Sequence, residues 1–229
     1  MYHGALLAAL VLLLILACPG TLRLLGRSGP VFSSPYLIHP DRLLAQHRLL
    51  PGTRVLLAGS DSLLFALRAA RLIAPGSLTC VGDEPQRLNT IREAARDDGI
   101  GNVVTLTGDL NTLPLPSNSF DQVVVLVGVL GRIDDREAAL AEMARVLKER
   151  GRLTISDSIF APGYQPTRNV VRWGNRAGLA VHRKINNVFS YTLEMTKPLR
   201  AKDSHPVRTG RPARSPQSGM AAWPGNLRG

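Results

Sequence analysis

A chain of 229 residues is long enough for one α/β domain of ordinary size with short extensions. Its two cysteines, Cys18 and Cys80, have neither the number nor the spacing of a disulfide framework or a cysteine metal site, and read as reduced, structural residues. A formal net charge of +11 points to an anionic partner, either nucleic acid or a lipid surface.

Residues 4–18 (GALLAALVLLLILAC) are apolar and uncharged, and with their flanks the charge-free segment reaches the roughly 20 residues that span a bilayer. Residues 1–25 are therefore expected to form a membrane anchor. A cleaved signal peptide would usually show Lys or Arg before the apolar run. Here Arg23 and Arg27 follow it, so the positive-inside rule puts the rest of the chain in the cytoplasm. A secreted signal and a lipoprotein are the alternatives; residues 15–18 (ILAC) are similar to a lipoprotein processing site, but lack a basic lead and precede Pro19. Residues 26–40, with Pro30, Pro35 and Pro40, read as a linker.

Residues 41–49 predict a short helix capped near Asp41, and His39 and His47 read as surface or packing residues rather than ligands. Arg54–Ala58 predicts the first strand and Leu63–Ile73 the first crossover helix, joined by Gly59, Ser60, Asp61 and Ser62. Small residues there let backbone N–H groups approach a ligand beside the helix N-terminus, and Asp61 is placed to cap the helix. Residues 78–81 predict a second strand running into Gly82, Asp83 and Glu84, and residues 86–96 a helix whose N-terminal dipole favours those two acids.

Val103–Thr107 predicts a third strand ending at Gly108 and Asp109, and residues 122–127 a fourth ending at Gly128. Asp109 and Gly128 thereby stand at carboxyl ends of strands, where open α/β sheets bind ligands. Apolar residues at Ala138, Leu140, Met143, Val146 and Leu147 predict a helix over 134–148, stopped by Arg150, Gly151 and Arg152. A strand over 153–156 follows, then a helix over 167–175 with Val170, Val171 and Trp173 on its buried side. Ala180–Asn186 and residues 189–196 predict two closing strands. Tyr164, Trp173 and Tyr191 are placed either to line a pocket or to fill the core.

From residue 199 onward the composition is Pro, Gly, Ser and Arg, too poor in apolar residues to offset the entropy of ordering. This reads as a disordered basic tail, either solvated without a partner or held at an anionic inner leaflet. No nucleic-acid recognition motif accompanies its cations, which makes nucleic acid an unlikely partner.

The run from Gly108 to Asp157 resembles the class I S-adenosylmethionine-dependent methyltransferases, in the branch that includes ubiquinone/menaquinone-biosynthesis and related small-molecule enzymes. The matching residues are Gly108-Asp109, Leu113-Pro114, Asn118-Ser119-Phe120-Asp121, Val129-Leu130, Ala138-Ala139-Leu140 with Glu142, Arg145-Val146-Leu147-Lys148 and Gly151-Arg152-Leu153. The resemblance implies an α/β, Rossmann-like sheet of seven strands in the order 3-2-1-4-5-7-6, with a methyltransferase-like domain over residues 41–198 and the tail over 199–229.

It also implies a site for S-adenosyl-L-methionine. Asp109 would accept a hydrogen bond from the adenine amino group, with Leu110 packing on the ring and Gly108 beside it. The family's ribose acid falls on Gly82 here, so Asp83, with Glu84 next, would take that role by a displacement of one residue. Of the family's glycine-rich loop only Gly59 survives; Asp61 would lie near the methionyl carboxylate, and Leu63 adds bulk. Gly128 begins the stretch that would face the methyl group, and where some quinone-type members have a His pair this chain has Gly131 and Arg132. No catalytic residue is assigned and no metal is expected. The implied activity is methyl transfer to a small, lipophilic acceptor at the cytoplasmic membrane face; the alternative is an inactive, membrane-tethered binding or scaffold module.

Overall fold

The computed structural model of the chain describes residues 40–60 and 62–199. The expected anchor, nearly all of the linker, the basic tail from Arg200 and Asp61 lie outside the described residues. Among the described residues no helix is long and apolar enough to cross a membrane.

The elements follow in the order α1 (Pro40–His47), β1 (Arg54–Ala58), α2 (Leu63–Ile73), β2 (Ser77–Gly82), α3 (Pro85–Asp97), β3 (Val103–Thr107), β4 (Phe120–Val125), α4 (Val129–Arg132), α5 (Arg136–Val146), β5 (Leu147–Ser158), α6 (Thr167–Arg176), β6 (Ala180–Asn186) and β7 (Ser190–Thr196). The seven strands form one sheet in the order β3-β2-β1-β4-β5-β7-β6, as the resemblance implies. The first five are parallel, while β7 runs antiparallel to both β5 and β6.

Burial explains the apolar runs. Val55 to Ala58 on β1 and Val123 to Val125 on β4 are buried on both faces of the sheet, as central parallel strands require. On α2 the buried Phe65, Ala66, Ala69, Ala70 and Ile73 recur at helical spacing. The edge strand β6 is mostly exposed and carries His182, Arg183 and Lys184, with a bulge at Val181/Arg183, features that discourage pairing with another chain. Cys80 is free and buried, and burial pushes its thiol up to about 12.

Three local expectations change. Ser62, not Asp61, caps α2, its hydroxyl accepting the Phe65 N–H at 3.2 Å. The helix expected over 134–148 already ends at Val146, and Arg150 to Arg152 lie inside the next strand: α5 passes straight into β5, which pairs at Phe120↔Leu147, bulges, and resumes at Gln122↔Arg152. On α6 Val170 and Gly174 are fully buried, while Val171 and Trp173 pack against the core but stay half-buried. Gly174 lets the helix pack closely on β7: an added Cβ would meet the end of the Met195 side chain, which would have to move aside.

Beneath α1 the sheet is polar. His47 is buried, its Nε2 3.1 Å from Ser156 Oγ, which lies 2.9 Å from Thr192 Oγ1; the Thr192 hydroxyl donates to Gln46 Oε1 at 2.7 Å. The Gln122 amide donates to the His47 carbonyl at 2.6 Å. Burial holds the imidazole neutral, lowering it to about 3, so His47 is a packing residue.

Candidate functional site

Three parallel strands end in glycine along one edge of the sheet. Gly59 follows β1 with φ at +96° and donates its N–H to the Val81 carbonyl at 2.7 Å. Gly108 follows β3 and donates to the Gly82 carbonyl at 3.0 Å, so Gly59, Gly82 and Gly108 line a trench of bare backbone. The positive φ at Gly59 would strain any other residue. At Gly82 the reason is close approach: an added Cβ would lie 3.1 to 3.3 Å from the Oγ, Cβ and N of Ser60. A side chain at position 82 would therefore crowd Ser60, and the nearest carboxylate comes one residue later.

That carboxylate is Asp83, exposed and without a hydrogen bond or ion pair to the described residues. Glu84 is committed elsewhere: it occupies the N-cap position of α3 and pairs with Arg87 at 2.6 Å. Asp109 is exposed on the loop after β3, where its Oδ1 accepts the Asn111 N–H at 2.8 Å. It is thus a turn residue that also presents a carboxylate beside Gly108. Leu110 is half-buried against the core, and the buried Oδ1 of Asn111 has no partner.

The loop that carries Asp109 is fastened from behind. Glu142 Oε2 accepts the Leu113 N–H at 2.9 Å, and Arg145 donates to the carbonyls of Leu113 at 3.0 Å and Leu115 at 2.9 Å. Asp121 in turn accepts the Arg54 N–H at 2.8 Å and pairs with Lys148 at 2.7 Å. Most residues of the motif read from the sequence therefore hold the domain together, Asp121 and Lys148 at the opposite, amino edge of the sheet and Glu142 and Arg145 behind the loop; few of them face the candidate site.

On the other side of β4, Gly128 takes up φ +81° and donates to Asp157 Oδ1 at 3.3 Å. Asp157, at the end of β5, is 1% exposed and also accepts the N–H of Ser158 at 2.9 Å and of Gln165 at 3.0 Å. Burial raises its pKa, and the three N–H groups oppose that rise. Asp157 is the site residue that sequence reasoning missed. The signal was present, because the rule that singled out Asp109 applies equally to an acid at the end of the fifth strand.

Beyond Asp157 the loop 159–166 and the turn between β6 and β7 border a half-open cavity of about 170 Å3, lined by Ile159, Tyr164, Thr167, Tyr191 and residues 186–190. The rings of Tyr164 and Tyr191 meet edge to face at 6.1 Å, and the Tyr191 hydroxyl donates to the Gln165 carbonyl at 2.8 Å. Burial raises the Tyr191 phenol well above its ordinary range. Trp173 packs on the core and does not line the cavity. Among the described residues no cluster of His, Cys, Asp or Glu is arranged to hold a metal.

The residues at this edge fit a nucleoside-bearing cofactor. The glycine trench admits close backbone approach, Asp83 and Asp109 offer acceptors to hydroxyl or amino donors, and the unpartnered Asn111 oxygen leaves a buried acceptor beside them.

Residues 57–155 match a family model described as a methyltransferase domain. The chain is 39% identical over 108 residues to the ubiquinone/menaquinone biosynthesis C-methyltransferase UbiE of Shewanella halifaxensis, covering 46% of this chain and 42% of that protein. It is 38% identical over 108 residues to UbiE of Teredinibacter turnerae, covering 46% of this chain and 43% of that protein. The chain thus spans less than half the length of these curated relatives. Among solved structures it resembles a SAM-dependent methyltransferase from Aquifex aeolicus, with TM-score 0.65 and 20% identity over 72% of this chain and 93% of the other. It also resembles the cyclase SpnF, with TM-score 0.64 and 17% identity over 70% and 80% of the two chains. Sheet order, strand-end geometry and sequence match agree: residues 57–155 carry a methyltransferase domain, set in a sheet with the strand order of the class I S-adenosylmethionine-dependent methyltransferase fold.

Proposed function

We propose that the protein transfers the methyl group of S-adenosylmethionine to a small, lipophilic, quinone-related acceptor. The observation that carries this reading is the layout of the sheet edge: a glycine trench with Asp83 and Asp109 on one side of β4, and the tyrosine-lined cavity on the other. When bound, the cofactor supplies the electrophilic methyl group. Asp109 would hold the adenine amino group, with Leu110 on the ring and Gly108 giving it room. Asp83 would hold the ribose hydroxyls, and Glu84, tied to Arg87, would stand behind it. Gly59 and the first turn of α2 would meet the methionyl end, the part of the site where Asp61 and Leu63 depart from the family.

Gly128 separates the cofactor half from the cavity, and Asp157 fixes it there through its N–H. A cavity of about 170 Å3 has room for a single ring, since an apolar cavity of about 150 Å3 takes benzene. The remainder of a larger acceptor would lie outside it. The names of the curated relatives favour a quinone-related head group and methylation at carbon. Transfer to a ring carbon would turn the cofactor into S-adenosylhomocysteine and release the ring proton to water or a base, so it needs alignment of the ring with the methyl group and an outlet for that proton.

Membrane residence belongs to the same proposal. The apolar run at residues 4–18, followed by Arg23 and Arg27, supports a single span with the domain on the cytoplasmic side, and the basic tail supports contact with anionic lipid. Protease protection in intact cells tests the topology: digestion of the domain from outside, or its release by a carbonate wash, would defeat it.

A second reading, a binding or scaffold module without catalysis, is favoured by the βα turn that keeps only Gly59. Calorimetric titration of the full-length protein with S-adenosylmethionine and S-adenosylhomocysteine separates the two. Binding at micromolar to sub-millimolar cofactor supports the enzyme, and no binding at millimolar cofactor supports the module.

A further inference from the structure

Four large apolar side chains project from the two loops around the cavity: Ile159 at 47% exposure, Phe160 at 51%, Val188 at 85% and Phe189 at 52%. They form one feature. The Phe160 and Phe189 rings are 5.3 Å apart, and the Ile159 N–H donates to the Phe189 carbonyl at 2.9 Å. Val188 and Phe189 occupy the turn between β6 and β7, closed by the Asn187 N–H on the Ser190 carbonyl at 2.8 Å. Exposing side chains of this size at a turn costs solubility and gives the fold nothing, so their clustering marks a contact surface.

The charges around this tip select the partner. Neither residues 159–172 nor residues 180–193 contain an Asp or Glu. Between them they carry Arg168, Arg172, Arg183 and Lys184, of which Arg168, Arg172 and Lys184 are exposed. Arg168 follows the cavity residue Thr167, and Lys184 lies two residues before the cavity residue Asn186. Apolar side chains at an apex with cations behind them match the layering of an anionic bilayer, in which acyl chains lie beneath negatively charged headgroups. The chain N-terminal to Pro40 permits this contact: residues 23–39, between the apolar run and α1, reach at most roughly 60 Å when extended.

We propose that Ile159, Phe160, Val188 and Phe189 dip into an anionic lipid surface, so that the mouth of the cavity opens onto the bilayer. An acceptor with a long apolar tail would then enter head-first from the membrane without crossing water. The purpose of the contact rests on the acceptor reading above, but the contact itself is measured with no methyl transfer.

The test uses the full-length protein with Cys18→Ser and Val188→Cys, labelled on the new thiol with an environment-sensitive fluorophore; Cys80, buried and with its thiol pushed up to about 12, stays unlabelled. Vesicles of phosphatidylcholine with one third phosphatidylglycerol should shift the emission to the blue and allow quenching by a nitroxide on the lipid. Adding Phe160→Ser and Phe189→Ser should weaken that response by about tenfold or more, with cofactor binding and melting temperature unchanged. A label at Leu72→Cys, exposed at the end of α2 by the amino edge of the sheet, should stay in water. The proposal is overturned if the label at 188 stays water-exposed with vesicles present, or responds equally to neutral vesicles. It is overturned equally if the label is shielded before lipid is added, which would mean that a second copy or the chain's own apolar run covers the tip. Loss of the lipid response with cofactor binding intact defeats this proposal alone; a lipid response without cofactor binding defeats the activity alone.

Discussion

The guanidinium of Arg145 grips the carboxylate of Glu142 through two parallel hydrogen bonds, Nε to Oε1 at 2.7 Å and Nη2 to Oε2 at 2.8 Å. The pair stands three residues apart on α5 and together binds three backbone groups of the loop that begins at Asp109. A rigid fork of this kind holds a loop better than a flexible ammonium would. Arg145→Ala should lower stability by about 1–2 kcal/mol, and with it the melting temperature by roughly 3–8 °C. Arg145→Lys should recover little of the loss. Thermal unfolding measures both, and a Lys variant as stable as the parent would show that charge alone suffices.

The same pair makes a pH prediction. The hydrogen bond from Arg145 holds Glu142 below the ordinary carboxylate range, partly opposed by desolvation. A depressed folded pKa means that the stabilisation is present above the unfolded value and is lost as pH falls through the folded value. The Glu142 contribution should therefore fade only below about pH 4. Glu142→Gln should lower stability at pH 7 and should narrow its gap to the parent as the pH drops below that point.

His47 acts at a higher pH. Its folded value near 3 lies far below the ordinary 6.5, so the unfolded chain takes up a proton in that window and the folded chain does not. Stability is then full above about pH 6.5 and falls as the pH drops toward 3, by at most about 1.4 kcal/mol for each unit of the shift. Denaturant titrations between pH 7.5 and 4 should show a decline that His47→Gln removes. An unchanged decline in that variant would assign the acid sensitivity to other groups.

Asp109 serves both the turn and the proposed adenine contact, and two substitutions separate these roles. Asp109→Asn keeps an oxygen for the Asn111 N–H but loses the charge, whereas Asp109→Ala loses both. Removing a hydrogen bond that involves a charged group costs about 1.5–3 kcal/mol. Cofactor affinity should thus fall roughly tenfold or more in Asp109→Ala and less in Asp109→Asn, as read by calorimetry. Equal affinities in parent and Ala variant would reduce Asp109 to a turn residue.

Asp157→Asn replaces an acceptor of three N–H groups with a side chain that offers one oxygen and an NH2 group facing donors. Stability should fall by about 2 kcal/mol or more, since buried N–H groups lose their partners. The loop 158–166 should loosen with it, so the KM for acceptor should rise more than the dissociation constant for cofactor. A rise confined to cofactor would place Asp157 in the wrong half of the site.

Much of the fold was legible from the chain because its central strands are unbroken apolar runs. Leu63–Ile73 and Ala180–Asn186 fall where the sequence puts them, the second marked by the turn at Gly178, and Gly59, Gly108 and Gly128 mark the strand ends that precede them. The site was less legible, because its parts act across distance. Nothing local says that Glu84 is spent on Arg87, that Ser60 crowds position 82, or that Glu142 and Arg145 reach back to Leu113. Such facts are pairings over as many as 32 positions, invisible to a reading by windows. The passage of α5 into β5 was missed for a related reason: Arg150 adopts φ +61° and Gly151 packs under backbone, so a pair that looks like a stop forms a bulge.

The insertion of β7 between β5 and β6 fixes an order of assembly. β6 pairs with β7 alone, so it has no neighbour in the sheet until residues after it in the chain have arrived. During synthesis the half proposed to hold the cofactor can close from its own successive βαβ units, while the half with the cavity waits for the last strand. A chain cut short before Ser190 would leave β5 as an open, apolar edge carrying Leu153 and Ile155, ready to pair with another molecule. Late nonsense mutations should accordingly yield aggregates rather than a smaller, working enzyme.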